Sequence, residues 1–147
     1  MKLLIAGSRN FTDYRLLSDS VAQVLSDVTE PVTVISGTAK GADTLGERYA
    51  EEHGLEVVRM PADWDKHGKA AGFIRNKDMS KVATHAIIFW DGQSKGTKSM
   101  ILLCKQGGVP VRVIATDLQR FQVFHYLPEP QHPVPSSLGI VRKNYLM

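Results

Sequence analysis

The amino-acid sequence predicts a three-layer α/β domain on a mostly parallel five-stranded sheet, with a short C-terminal appendage. Three observations predict it. Apolar runs of strand length alternate with segments of helical period between residues 3 and 115. The run Val32-Thr33-Val34-Ile35 is β-branched throughout, as in a strand buried on both faces. Glycine or proline stands close to the end of most of them, as chain-turning punctuation does.

The elements follow in order. Leu3-Leu4-Ile5-Ala6 is a strand that stops at Gly7. Leu17, Val21, Val24, Leu25 and Val28 recur at three- and four-residue spacing and mark an amphipathic helix, with Thr12 or Asp13 as its cap. Val32-Thr33-Val34-Ile35 is a second, buried strand that ends at Ser36-Gly37. Ala42 to His53 reads as a helix with Leu45, Tyr49 and Ala50 inward, and Gly54 as its stop. Leu55 to Met60 is a third strand, closed by Pro61. Pro61 to Gly72 has no clear period and reads as a long loop, of a length that usually serves function. A helix from Phe73 to Val82, a strand from His85 to Trp90, a helix from Thr97 to Lys105 and a strand from Val109 to Ala115 complete the pattern.

The domain is therefore expected to occupy residues 1–116. Residues 117–147 carry four of the seven prolines and read as an extension that packs on the domain or is partly disordered. The runs Phe121–Phe124 and Leu138–Val141 favour two short strands within it.

Composition narrows the function classes. At 147 residues, with 43% hydrophobic and 22% charged residues, the chain suits one soluble domain with one core. Its single cysteine, Cys104, lies in an apolar run and excludes an internal disulfide and a cysteine-rich zinc site. No histidine or carboxylate stands beside His67 at metal-ligand spacing, so neither a metal nor a cofactor is expected. No apolar run approaches the roughly 18 residues of a membrane span. The N-terminal apolar run passes straight into a glycine turn and reads as a strand, so a cytoplasmic protein is expected. The net charge of +3 suits an anionic ligand without demanding nucleic acid. The densest basic stretch, Lys66 to Lys81, is mixed with Asp65 and Asp78, and a solvated helix face accounts for Lys77 and Lys81.

In an open parallel sheet, ligands bind beyond the carboxyl ends of the strands. Three turns at that edge combine glycine, hydroxyl and basic residues. The first is Gly7-Ser8-Arg9-Asn10, where Arg9 offers a planar fork of donors suited to phosphate. The second runs from Ser36 through Gly37, Thr38, Ala39, Lys40 and Gly41 to Asp43, just before a helix whose free amides and dipole attract anions. Asp43 is either a helix cap or an acceptor for a ribose hydroxyl. The third is Asp91-Gly92-Gln93-Ser94-Lys95-Gly96-Thr97-Lys98-Ser99, which resembles a phosphate loop but is not a Walker A motif. A Gly-x-Gly-x-x-Gly fingerprint is absent from all three, which removes support for an NAD-dehydrogenase reading. In the intervening segment, Trp64 is a candidate for stacking on a base, against its ordinary use in packing. Arg75 opens a helix, where burial of its permanent charge would require an anion.

Taken together, Gly7-Ser8-Arg9-x-Phe11, Ser36-Gly37-x-Ala39-x-Gly41-x-Asp43, Pro61-Ala62-Asp63-Trp64, Gly68-Lys69-Ala70-Ala71-Gly72 with Arg75-Asn76, and Asp91-Gly92-x-Ser94-x-Gly96-Thr97 resemble the SLOG superfamily. The likeness is to its small stand-alone domains related to YpsA, and it implies a Rossmann-like fold. Within this superfamily, the lysine decarboxylase-like phosphoribohydrolases cleave nucleoside monophosphates. Their motif continues Gly-Thr-x-x-Glu with a catalytic glutamate, whereas this chain has Met100 at that position. DNA-processing protein A, another relative, binds single-stranded DNA, and other SLOG domains sense nucleotide-derived signals.

The resemblance implies a nucleotide or nucleotide-derived small molecule as the partner, held by a sensor or sequestering domain. Its phosphate would sit on the Gly37–Gly41 and Gly92–Thr97 turns, neutralised by Arg9, Lys95 and Arg75, with Trp64 beside the base and Lys69 and Asn76 in the set. The alternatives are a nucleotide-cleaving enzyme using Asp43 or Asp91, and single-stranded nucleic-acid binding, which the mild charge disfavours. Related enzymes also imply a homo-oligomer, with a twofold dimer the first expectation.

Overall fold

The computed structural model describes residues 1–116 and 123–126. The apolar run after Met1 forms β1 (Lys2–Gly7), with Leu3, Leu4, Ile5 and Ala6 all buried. Helix α1 (Tyr14–Leu25) follows, capped by Asp13 rather than Thr12: the Asp13 carboxylate accepts from the Leu16 amide at 3.0 Å. Strand β2 (Thr33–Ser36), helix α2 (Ala42–Glu52) and strand β3 (Glu56–Arg59) come next. The chain then passes through a short helix α3 (Trp64–His67), a 3-10 turn (Gly68–Ala70) and helix α4 (Ala71–Val82). Strand β4 (His85–Trp90), helix α5 (Lys95–Gln106) and strand β5 (Val111–Ala115) complete the alternation.

The described strands form one sheet in the order β3-β2-β1-β4-β5-β6, and the first five are parallel. The sixth, β6 (Val123–Tyr126), runs antiparallel to β5, with Val111 opposite Tyr126. It overlaps the first strand run read in the C-terminal extension; the second, Leu138–Val141, lies outside the described residues. The chain builds outward from β1 to β3, then returns to place β4 on the other side of β1. Between β1 and β4 the winding therefore reverses, and a crevice opens at the carboxyl ends of these two strands.

Helices cover both faces. Leu17, Val21 and Val24 of α1 and Tyr49 and Ala50 of α2 pack with Leu3, Ile5 and Phe89 on one side. Met79 and Ala83 of α4 and Met100, Ile101 and Cys104 of α5 pack with Leu4, Ile35 and Ile88 on the other. Fully burying each aliphatic side chain of this kind contributes roughly 1.5–3 kcal/mol, so the two layers hold the sheet and its edge in place.

Two expectations are corrected. The segment Pro61–Gly72 is largely helical rather than a long loop: the Asp63 carboxylate accepts from the Lys66 amide at 3.1 Å and starts α3. One turn of helix is too short to show a period, so only its cap could have marked it. As a result α4 begins at Ala71, and Arg75 lies in its second turn instead of opening it. Among the described residues, no helix is long and apolar enough to cross a membrane, and no group of three or more metal-binding side chains assembles.

Candidate functional site

The turns after β1, β2 and β4 meet at the carboxyl edge of the sheet around a cleft of about 600 Å³. That volume lies within the usual range for small-molecule sites. Each turn is held differently.

The first turn is fixed by Ser8, which is 1% exposed. Its amide donates to the Phe89 carbonyl at 2.9 Å, and its carbonyl accepts from Phe11 at 3.2 Å and from Ala42 at 3.4 Å. Its hydroxyl accepts from the Asp91 amide at 3.2 Å. Arg9 and Asn10 follow on the surface and line the cleft mouth.

The second turn is closed by its own polar groups. The Ser36 hydroxyl donates to Glu47 at 2.6 Å and accepts from the Thr38 amide at 3.0 Å. Glu47 also receives Arg59 of β3 at 2.9 Å. Thr38 has a φ of +67°, a strained value for a β-branched residue. Gly41 caps α2 with a φ of +82° and no side-chain bond, and a Cβ there would collide with the Ser8 carbonyl. Asp43 is therefore not the cap: its carboxylate accepts from the Ala39 amide at 3.2 Å and staples the turn from inside.

Arg75 reaches the same turn from α4. It donates to the Gly37 carbonyl and, through Nε, to Asn76 at 2.8 Å. Burial lowers the pKa of its guanidinium, an effect that the Asp43 carboxylate opposes. Asp43 is 5% exposed. Burial pushes its carboxyl up to about 6, against the Ala39 amide and the charges of Arg75 and Arg9, which pull it down, while Glu47 adds to the rise. The anion that Arg75 was expected to require is thus supplied in part by the protein.

The third turn is organised by Asp91, whose carboxylate accepts from Gln93 at 2.9 Å and Ser94 at 2.8 Å. Burial works to raise its pKa, but these amides, with the side chains of Ser8 and Asn10, hold it below the ordinary value. The Ser94 hydroxyl caps α5 through the Thr97 amide at 3.3 Å and pairs with the Thr97 hydroxyl at 2.9 Å. Lys95 and Gly96 then form the first turn of α5, both exposed and both lining the cleft. A helix start of this kind carries outward-facing amides and a partial positive charge.

The cleft thus brings together Gly7, Ser8, Arg9, Ala39, Asp43, Arg75, Asn76, Asp91, Ser94, Lys95, Gly96 and Thr97. Ser36, Gly37 and Gly41 stand behind its lining and shape the second turn. Gly92 and Lys69 are exposed and outside the lining. Trp64 is also outside it: 53% exposed, it borders a separate hollow with Pro61, Ala62, Asp63 and Asp65.

Phe73 and Met79 also line the cleft and were not foreseen from the sequence, and Asn10 and Ser99, from the first and third turns, join them. Phe73 had one available signal, an aromatic just ahead of Arg75 and Asn76 on the same predicted helix. Met100, noted as the residue in the glutamate position, lines the cleft at 2% exposure.

Comparison with known proteins gives three findings. The model of the family described as "YAcAr: YspA, cpYpsA-related SLOG family" matches residues 1–67. The Gene 61 protein of Mycobacterium phage D29 is 34% identical over 116 residues, covering 75% of this chain and 93% of that protein. Two solved structures share the fold. DNA processing protein A from Streptococcus pneumoniae superposes with a TM-score of 0.61 at 18% identity over 80% of this chain, which spans 50% of that protein. DNA processing protein A from Helicobacter pylori, which has a single-stranded DNA binding mode, gives 0.58 at 18% identity, over 83% of this chain and 68% of that one.

Proposed function

This chain belongs to the YspA, cpYpsA-related SLOG family, and on that footing we propose that its cleft binds the phosphate of a nucleotide or nucleotide-derived small molecule, as a sensor or sequestering domain. The observation that carries this reading is the start of α5. Lys95 and Gly96 line the cleft there, as does Arg9, and neither cation forms an ion pair among the described residues. A helix N-terminus flanked by free cations suits a phosphate group. Arg75 adds a third positive charge deeper in the cleft, shared with Asp43.

Binding is favoured over cleavage. Met100 offers no proton chemistry, Asp91 is occupied by two backbone amides, and Asp43 is engaged by the Ala39 amide and the charge of Arg75. The ligand would be small and cytoplasmic, and the protein would act as a twofold dimer, to which α5 can contribute the exposed Leu102.

Mass spectrometry of small molecules that co-purify with the protein, followed by calorimetry with nucleoside monophosphates, tests the reading. Saturable binding is expected; no heat of binding at millimolar ligand would refute it. The second reading, single-stranded DNA, is favoured by the open cleft and by the fold shared with the Helicobacter pylori protein. Its signature is binding of an oligothymidine that weakens steeply with salt and outcompetes the mononucleotide.

A further inference from the structure

We propose that Phe73 is the platform for an aromatic base, so that the cleft selects nucleotides over inorganic phosphate and sugar phosphates. This rests on the phosphate reading above and adds the identity of the group at the other end of the ligand.

Four large apolar side chains are exposed among the described residues: Val58, Trp64, Phe73 and Leu102. Of these, Phe73 alone lines the cleft. Its ring is 53% exposed, although α4 has a buried face to offer, formed by Ala71, Met79 and Ser80. Leaving an aromatic of this size in water forgoes the stabilisation that burial gives. In a cleft, that surface is recovered when a flat ligand covers the ring.

The rest of the lining divides the cleft chemically. Arg9, Lys95 and the helix start at Gly96 lie on the turns after β1 and β4, while the third cation, Arg75, is on α4 and donates to the Gly37 carbonyl. The floor is part apolar, with Met79 and Met100 buried, and part polar, with Ser8, Asp43 and Thr97 also buried. Phe73 sits on α4, on neither of the phosphate-facing turns. A phosphate alone would leave the ring and floor wet, whereas a nucleotide joins an anionic end to a flat apolar one. Every base has a π-face, so the platform selects nucleotides as a class without choosing among bases.

The test is calorimetry on the full chain with adenosine 5′-monophosphate, ribose 5-phosphate and inorganic phosphate. The parent is compared with Phe73→Ala and Phe73→Trp. The parent is expected to bind the nucleotide about 5- to 150-fold more tightly than ribose 5-phosphate, the range for stacking one base on an aromatic. Phe73→Ala should erase that ratio while leaving ribose 5-phosphate affinity unchanged, and Phe73→Trp should keep it. Equal affinity of the parent for both ligands overturns the platform and leaves the phosphate reading standing. A ratio that survives Phe73→Ala overturns it as well. Failure of all three ligands to bind the parent removes both.

Discussion

The turns after β2 and β4 carry similar residues and use them differently. In the turn after β2, the polar groups are spent on one another: Ser36 on Glu47, Ala39 on Asp43, and the Gly37 carbonyl on Arg75. In the turn after β4, Asp91 and Ser94 satisfy the loop and the helix cap, while Lys95 and Gly96 stay open to the cleft. A phosphate arriving at the second turn would have to displace internal partners; at the third it meets groups already turned towards it. On the proposed reading, the first of these turns is chiefly architecture and the other chiefly reception, although glycine and small hydroxyl residues fill both.

The largest difference is expected at two glycines with the same φ of +82°, Gly41 and Gly92. A Cβ at Gly41 meets the Ser8 and Arg9 backbone, whereas one at Gly92 meets open space. Gly41→Ala adds a steric clash to backbone strain and should cost roughly 3–5 kcal/mol. Gly92→Ala bears only the strain and should cost about 1 kcal/mol. Chemical denaturation reads both; equal costs would erase the distinction.

Asp43 comes next. Its folded pKa of about 6 lies above the ordinary 3.8, so the folded chain holds a proton that the unfolded chain gives up. Stability from this group is complete below about pH 4 and is lost as the pH rises through 6, by roughly 3 kcal/mol at most. Asp43→Asn keeps an oxygen for the Ala39 amide and should flatten that slope, making the variant more stable than the parent at pH 8. A parent whose stability does not fall between pH 4 and 7 relative to the variant would show that Asp43 titrates normally.

Arg75→Ala removes a clamp on the Gly37 carbonyl and a positive charge from the cleft. It should cost about 1–2 kcal/mol of stability and weaken nucleotide binding about ten- to a hundredfold. Lys95→Ala is the smallest perturbation. Its side chain is exposed, so affinity should fall by about two- to fivefold with the denaturation midpoint unmoved. If Lys95→Ala shifted the midpoint as much as Arg75→Ala does, the two turns would not differ as described.

The legible part of this molecule is the part governed by local rules. Strands β1, β2, β4 and β5 were readable because burial on both faces fills them largely with apolar residues, although Thr33 and Arg112 interrupt two of them. The meeting of the three turns followed from the parallel order of the strands. The partner of Arg75 was not readable: the Gly37 carbonyl lies 38 residues away, and no spacing rule connects them. The same holds for Ser36 and Glu47, which touch only because β2 and α2 pack side by side. The aromatic at the cleft was misassigned for a different reason. Reading residues 61–72 as a loop left Trp64 free to reach the site; α3 instead carries it to a neighbouring hollow and leaves Phe73 on the cleft wall.

Ser8 ties Phe89, Asp91, Phe11 and Ala42 together through one residue's amide, carbonyl and hydroxyl. These bonds tie the wall between β1 and β4 to both strands. For the proposed nucleotide, capture at this wall would be a single encounter, with a rate that rises in proportion to ligand concentration. Arg9, Lys95 and Lys98, all at the surface, would steer it, so added salt would slow arrival. Departure, governed by contacts made deeper in the cleft, would change less, which would set the time a bound nucleotide stays apart from the speed with which it is found.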